Sequence, residues 1–533
     1  MTRPCDWSGD SPQKPATHRA PPIYYTRPLC TAPPKIGGEV LARAYEWLPI
    51  DCECGESSIL STLAWRQKAR MQSERHILLF SYHFPPSNAA GAHRWKLLCD
   101  EGAKRGWHFD VICCETPGIF ASVAGIERYS VPYRAHWLER ARQTLLTLLQ
   151  VARARFRTAM PTSSNGNIGA ADSVGSEAVV LKHQLPSALS RIGLKRSFNT
   201  LFYYIPGLRW KQAAQRVGLQ LSRFRAYDAV ICSSPPHLTS LAAAVVAKRR
   251  KLPLILDFRD PWSAMDVLQP DYASPFFYRL ADFLEERAVR HASLLVMNTE
   301  EAREATQPRH PGTEIVVVRN GSAPTSPACE VSRRDRFEML FAGAIYLDRD
   351  PRPLLQAIRD FAQAEGVTSK EFQMRFVGNV SHFGDVSLTQ YTEALGISDL
   401  VSIEAPVARK ELGAMQQRAA VLVNLPQSAR LCIPSKLYEY FEHPSWILAL
   451  EERGTASHRL LVEANAVVCA PGDVAAIATA IASLYRRFQK GETPKRVVDT
   501  LDVSIVTQAD ILFAKLEAIV RARNPMNAAN HAD

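Results

Sequence analysis

From Met71 onward, short apolar runs alternate with stretches of helical period. Strands buried on both faces read as continuous apolar runs, so this alternation predicts parallel β-α-β units. In the first half strands are expected at 77–82, 109–114, 229–232, 254–258, 294–297 and 315–318, with helices between them. A second series follows the polar stretch Asn320 to Arg336, with strands expected at 339–342, 373–377, 401–403, 421–425, 447–450 and 466–469. Two such series predict an α/β chain of two doubly wound, Rossmann-like domains, 71–325 and 326–500, facing a central cleft at the carboxyl ends of their strands. A last helix within 501–523 is expected to pack back across both.

The flanks read differently. Residues 1–70 are rich in Pro and polar residues and carry no apolar signal core, so they are expected to be a disordered extension or a start assigned too early, with Met71 the alternative start. The Ser, Asn, Gly and Ala run at 158–175 reads as a flexible insertion, and 524–533 as a disordered tail.

Composition narrows the class. Charged residues are 22% and hydrophobic ones 46% of 533, which excludes wholesale disorder. The net charge of +11 concentrates in two stretches: 134–157 has six Arg against Glu139, and 182–225 has nine Lys or Arg and no acid. Both contain Trp, Leu or Phe and read as helical. Either they face an anionic membrane surface or they are solvated basic faces; no nucleic-acid partner is expected. The eleven Cys lack metal-site spacing, and reduced thiols in a cytoplasmic protein, peripheral to the inner membrane face if attached at all, are expected. No run of eighteen apolar residues is present to span a bilayer.

Three strand exits carry candidate chemistry. After the first strand, Ser81 to Trp95 holds two prolines and then small residues, which would let the backbone at Asn88 and Gly91 approach a ligand at a helix start. His93 and Arg94 there would meet an acceptor or phosphate, or cover the helix surface. The spacing is not GxGxxG, which argues against a nicotinamide or flavin site. Asp257, Arg259 and Asp260 end another apolar strand, where charges must pair or serve a cleft; one carboxylate would hold Arg259 and the other would bind or deprotonate a hydroxyl. In the second half, Pro434, Ser435, Lys436 and Glu439 open a helix. There Lys436 and the helix start would hold phosphate, and Glu439, one turn on, would face the same ligand.

The order SYHFPP…GAHRW, YDAVICSSPP, LDFRDPW, VVVRNG, LFAGAIYLDRDPRPLLQAI, MRFVGN and PSKLYEY resembles the bacterial, retaining glycosyltransferases of GT-B fold, the glycosyl transferase group 1 or family 4-like enzymes of surface-polysaccharide synthesis. The resemblance covers about Arg75 to Arg523. It implies a nucleoside diphosphate sugar held mainly by the C-terminal domain and an acceptor held mainly by the N-terminal one. By position, Gly343 and Arg349 or Arg352 would border the donor phosphates, with Arg352 alternatively capping its helix. Pro434, Ser435 and Lys436 would make a second phosphate contact, Glu439 would accept from the ribose, and Asp257, Arg259 and Asp260 would fall at the catalytic or acceptor-orienting place. Asn320 and Gly321 match the interdomain hinge. A second glutamate that often contacts the hexose is replaced by Leu431.

The resemblance implies transfer of a hexose to a hydroxyl of a cell-surface glycan or lipid-linked precursor, with retention and without a metal or other cofactor. Asp348-Arg349-Asp350 has the spacing of a metal triad, but Arg349 and Arg352 crowd it. A nucleotide-sugar epimerase of the same fold and a non-catalytic scaffold are the alternatives.

Overall fold

The computed structural model describes residues 75–87, 89–116, 123–133, 140, 144, 191–265, 274–323, 334–346, 349–425 and 430–523, with backbone alone at 90, 191–203, 205 and 206. The expected extension 1–70, insertion 158–175, tail 524–533 and almost all of 134–157 lie outside the described residues, as do Asn88 and Asp348.

The first half is a seven-stranded parallel sheet built from β1 (Arg75–Ser81), β2 (Trp107–Cys114), β3 (Ile126–Val131), β4 (Ala229–Ser234), β5 (Leu254–Phe258), β6 (Leu294–Met297) and β7 (Ile315–Val317), in the order β3-β2-β1-β4-β5-β6-β7. Its helices are α1 (Ala90–Lys104), α2 (Arg191–Phe224), α3 (Leu238–Arg250), α4 (Pro275–Val289) and α5 (Glu300–Thr306). The order reverses between β1 and β4, and β1 runs into the candidate segment Ser81 to Trp95. The sequence pattern missed β3, an edge strand that interrupts its buried ends Ile126 and Val131 with Glu127, Arg128 and Ser130 on both faces, so no apolar run marks it.

The second half repeats the plan. A six-stranded parallel sheet holds β8 (Phe337–Ala344), β9 (Phe372–Asn379), β12 (Val401–Glu404), β13 (Val421–Asn424), β14 (Trp446–Leu450) and β15 (Val467–Cys469), in the order β12-β9-β8-β13-β14-β15. A small antiparallel hairpin, β10 (His382–Phe383) with β11 (Val386–Ser387), lies between β9 and β12 in the chain and was not expected. The helices are α6 (Arg352–Glu365), α7 (Leu388–Ala394), α8 (Arg409–Arg418), α9 (Ser435–Tyr440), α10 (Ala456–Glu463) and α11 (Val474–Gln489). The two Rossmann-like halves predicted from the apolar pattern are therefore present.

The last helix, α12 (Ile505–Arg523), returns to the first half. Ile505, Ala509, Leu512, Phe513 and Leu516 enter the same apolar cluster as Ile77, Trp95 and Phe109. Phe513 meets the rings of Trp107 and Phe109 at 5.9 and 6.2 Å, and the absence of a side chain at Gly102 gives it room. Ion pairs Arg75–Glu517 at 2.5 Å and Arg105–Asp510 at 2.6 Å rim the contact. The hinge is laced to the same segment: Ser322 N–H donates to Val503 O at 2.9 Å and Ile505 N–H to Ser322 O at 3.0 Å. A Cβ on Gly321 would stand 2.6 Å from the Ile505 backbone, so only glycine fits between the crossing chains.

Candidate functional site

One cleft is lined from both halves, by His93 and Arg94 of α1, Asn320 and Gly321 of the hinge, Ser435, Tyr438 and Glu439 of α9, and Glu442. The structure thus brings together four predicted site residues, His93, Arg94, Ser435 and Glu439, with the predicted hinge.

On the C-terminal side, Pro434 ends the loop before α9 and fixes the entry of a six-residue helix. Lys436 follows, its Nζ sealed from solvent 4.4 Å above the Phe341 ring and 5.9 Å from that of Tyr440. The ammonium has no hydrogen-bond partner among the described residues. Burial pushes its pKa well below 10.5, the Arg349 charge adds to that, and Glu451 opposes it. A buried amine left without an acceptor is costly to charge, and an incoming anion would offset that cost.

Phe341 belongs to β8, whose end carries Gly343. Gly343 has φ 145, exposed and without a side chain, beside Gly378, where a Cβ would sit 1.9 Å from Gly343 O. The paired strand ends therefore present bare backbone. Arg349 donates from Nη1 to Ala344 O at 3.1 Å and lies over the Tyr346 ring at 4.4 Å, beside this strand end. Arg352 is different from the donor-phosphate expectation: Asp350 accepts from its Nε and Nη2 at 2.9 and 2.6 Å and from its backbone N–H at 2.9 Å, so the pair closes the start of α6. Glu439 accepts from Arg409 Nη2 at 3.0 Å; burial raises its pKa and Arg409 opposes the rise.

On the N-terminal side the two aspartates part company. Asp257 is sealed: Arg94 donates to it from Nη2 at 3.0 Å and from Nε at 3.3 Å, and Trp95 Nε1 donates at 2.7 Å. This corrects the expectation of a catalytic Asp257 and of an Arg94 that meets an acceptor or phosphate, since burial leaves carboxylate and guanidinium to each other. Arg94 also donates to the hinge carbonyls of Val318 at 2.9 Å and Arg319 at 2.8 Å, so the pair ties β5, α1 and the hinge together. Asp260 keeps its side chain 45% exposed, with Arg259 Nη2 at 3.7 Å. The Arg259 guanidinium lies where a Cβ on Gly91 would be, 2.3 Å from Nη1, so it covers the start of α1. His237, stacked on Trp262 at 5.1 Å, has Nε2 3.0 Å from Asp260 O and steadies this loop. His93 is pushed down to about 4 by burial and by the Arg409 and Lys96 charges, so it stands in the cleft as a neutral imidazole.

Leu431 has a role of its own. Its side chain packs against the apolar cluster of the first half, and its carbonyl accepts from Thr299 Oγ1 at 2.5 Å. Next to it Cys432 Sγ lies 3.8 Å from Asp260 Oδ1, and Arg459 pairs with Glu301 at 3.1 Å. The segment holding Leu431, where the resemblance places a hexose-contacting glutamate, joins the two halves.

Residues 178–321 match the glycosyl transferase 4-like domain family. This segment contains Asp257, Arg259, Asp260 and the Asn320–Gly321 hinge. A D-inositol 3-phosphate glycosyltransferase of Catenulispora acidiphila is 27% identical over 207 residues, a match taking in 36% of this chain and 49% of the relative, so the chain spans about half of that relative's length. Among solved structures, the N-terminal domain of Candida albicans trehalose-6-phosphate phosphatase aligns at TM-score 0.51 and 10% identity, over 83% of this chain and 97% of that one, and shares the fold. HepE of Anabaena in complex with UDP aligns at TM-score 0.46 and 13% identity, over 85% of this chain and 100% of that one.

Outside the glycosyl transferase 4-like segment, the sequence did not single out Glu442, which lines the cleft, or Arg409, which pairs with a residue lining it. Arg409, at the start of α8, charges both Glu439 and His93. Glu442 accepts from Ala323 N–H at 3.0 Å, and burial with the nearby Glu439 charge lifts its pKa to about 7. Arg409 stands after a predicted strand, the same signal that flagged the other exits; Glu442 has no local signal because its partner is 119 residues away.

Proposed function

We propose that this chain is a glycosyltransferase that moves a hexose from a nucleoside diphosphate sugar to a hydroxyl of a cell-surface glycan or lipid-linked precursor, with retention and without a resident metal or cofactor. The observation that carries the reading is the sealed Lys436 side-chain nitrogen, without a hydrogen-bond acceptor among the described residues, over Phe341 of the strand that ends in the bare Gly343 backbone. The glycosyl transferase 4-like match supports the reaction class. In this reading the donor diphosphate meets Lys436, with Arg349 and the Gly343 backbone beside it, and Glu439 accepts from the ribose. The bond from the anomeric carbon to the diphosphate oxygen breaks, and a bond to the acceptor hydroxyl forms on the same face. The hydroxyl proton passes to Asp260 or to the departing diphosphate. Fixed cations stabilise that leaving group with little reorganisation, and closure of the halves limits hydrolysis. The chain works in the cytoplasm, at the inner membrane face when its acceptor is lipid-linked.

Leu431 favours a second reading, a non-catalytic scaffold, because it replaces the family's hexose-contacting glutamate and packs against the first half. Incubation with a panel of UDP and GDP sugars plus membrane extract separates the readings. Acceptor-dependent nucleotide release supports transfer, epimer formation without acceptor supports isomerisation, and binding without turnover supports the scaffold.

A further inference from the structure

Helix α4 turns one face to the protein and leaves an unusual one outside. Phe277, Ala281, Glu285, Ala288 and Val289 are buried. Phe276 and Phe283, seven residues apart and so on one stripe, are 42% and 58% exposed. About 10 Å separates them along the axis. Arg279 and Arg287 are exposed on the same stripe, with Arg290 one turn further, beside the exposed acids Asp282 and Glu286. Among the described residues none of these three arginines is in an ion pair, whereas the nearby Asp282 is paired with Arg309.

The charge continues onto the neighbouring helices. Lys211 of α2 lies close enough to feel the Arg287 charge, and His291 feels Lys248 of α3 together with Arg287 and Arg290. Aromatic side chains two turns apart within a cationic field match a bilayer, where rings enter the headgroup boundary and guanidinium groups meet lipid phosphate. A second copy of the chain would set arginine against arginine, so like-charge repulsion disfavours that occupant.

We propose that the outer face of α4, through Phe276, Phe283 and the arginines around them, docks on the anionic surface of a phospholipid bilayer. The sequence pointed to other stretches, 134–157 and 182–225, as either membrane-facing or solvated basic faces, and did not single out this helix. The helix is also fixed to the loop that carries Asp260. Ser263 N–H donates to Glu285 Oε2 at 2.7 Å, and Trp262 Nε1 donates at 3.2 Å to Tyr204 OH, whose ring stacks on Phe277 at 5.7 Å. Seating α4 on lipid therefore sets the height of the acceptor-side loop above the membrane. That consequence rests on the proposed transfer to a lipid-linked acceptor; the docking itself does not.

The test is co-sedimentation of the full chain with vesicles of phosphatidylcholine alone and of phosphatidylcholine with one-quarter phosphatidylglycerol. The expected result is binding to the anionic vesicles only, weakened by salt, and reduced at least tenfold in Phe276→Ser/Phe283→Ser. Arg287→Glu/Arg290→Glu gives the same reduction and serves if the first variant misfolds. Absence of binding, or binding equal to wild type in both variants, overturns the proposal. So does a dimer in light scattering that the variants dissociate while vesicle binding is unchanged. Nucleotide-sugar affinity, measured in parallel without vesicles, stays at the wild-type value, so failure of docking is separable from failure of the proposed reaction.

Discussion

Arg94 grips Asp257 through two hydrogen bonds, 3.0 and 3.3 Å long, and each side chain is 1% exposed. Breaking one side of such a pair strands the other charge in the interior. Arg94→Ala should therefore destabilise the fold by roughly 3–5 kcal/mol, read from urea unfolding. An unchanged midpoint would show that Asp257 does not need this partner.

Lys436 should show effects of opposite sign on two observables. Lys436→Met removes a sealed ammonium that has no hydrogen-bond partner among the described residues, so the unliganded protein is expected to be as stable as wild type or more so. Nucleoside diphosphate affinity should fall by roughly 1.5–3 kcal/mol, the worth of a charge-assisted contact. Calorimetric titration beside thermal melting measures both; unchanged affinity would sink the phosphate assignment.

Asp260→Asn should lower turnover on the order of 100-fold, the scale of a lost proton acceptor, while donor affinity holds. Its side chain is 45% exposed with Arg259 at 3.7 Å, so the melting temperature should barely move. A fall in melting temperature without a separate kinetic defect would instead make the residue a loop brace.

Glu442 gives a pH prediction. Its folded value of about 7 lies above the ordinary 4.5, so the folded state holds the proton more tightly than the unfolded one. The cost of ionising it is absent below pH 4.5, grows as pH rises and is complete above pH 7. Glu442→Gln keeps an oxygen for the Ala323 N–H and cannot ionise. The variant should gain roughly 1–3 kcal/mol relative to wild type across that window, allowing for partial solvent screening. Urea midpoints at a series of pH values test this, and parallel curves would refute it.

The sheets were legible because their central strands are apolar runs; Leu254 to Phe258 is found where the pattern places it, and is buried throughout. The edge strand at 126–131 was not, since polar residues on both its faces, Glu127 and Ser130 exposed, interrupt the run. At the site, the pattern marked Asp257 as a charge that needed a partner and offered Arg259, two residues away. The partner is Arg94, 163 residues distant, and only the β1–β4–β5 adjacency brings it there. Lys436 was legible as a helix-start cation, but its enclosure by Phe341 and Tyr440 depends on β8 lying under α9. Leu431 could be read as a missing acceptor and not as a joint, because its contacts lie in the other half.

The return of α12 to the first sheet has a consequence for how the chain matures on the ribosome. The cluster that Ile77, Trp95 and Phe109 begin is finished by Leu512, Phe513 and Leu516, which are made only after the whole second half. At about 5–20 residues per second, the wait between the hinge and α12 is on the order of ten to forty seconds. During that interval the first half emerges with an apolar face uncovered, a natural client for chaperones. A chain ended just before Ser504 should keep that face open, seen as raised binding of a hydrophobic dye and rapid proteolysis of the first half; full protease resistance would contradict it.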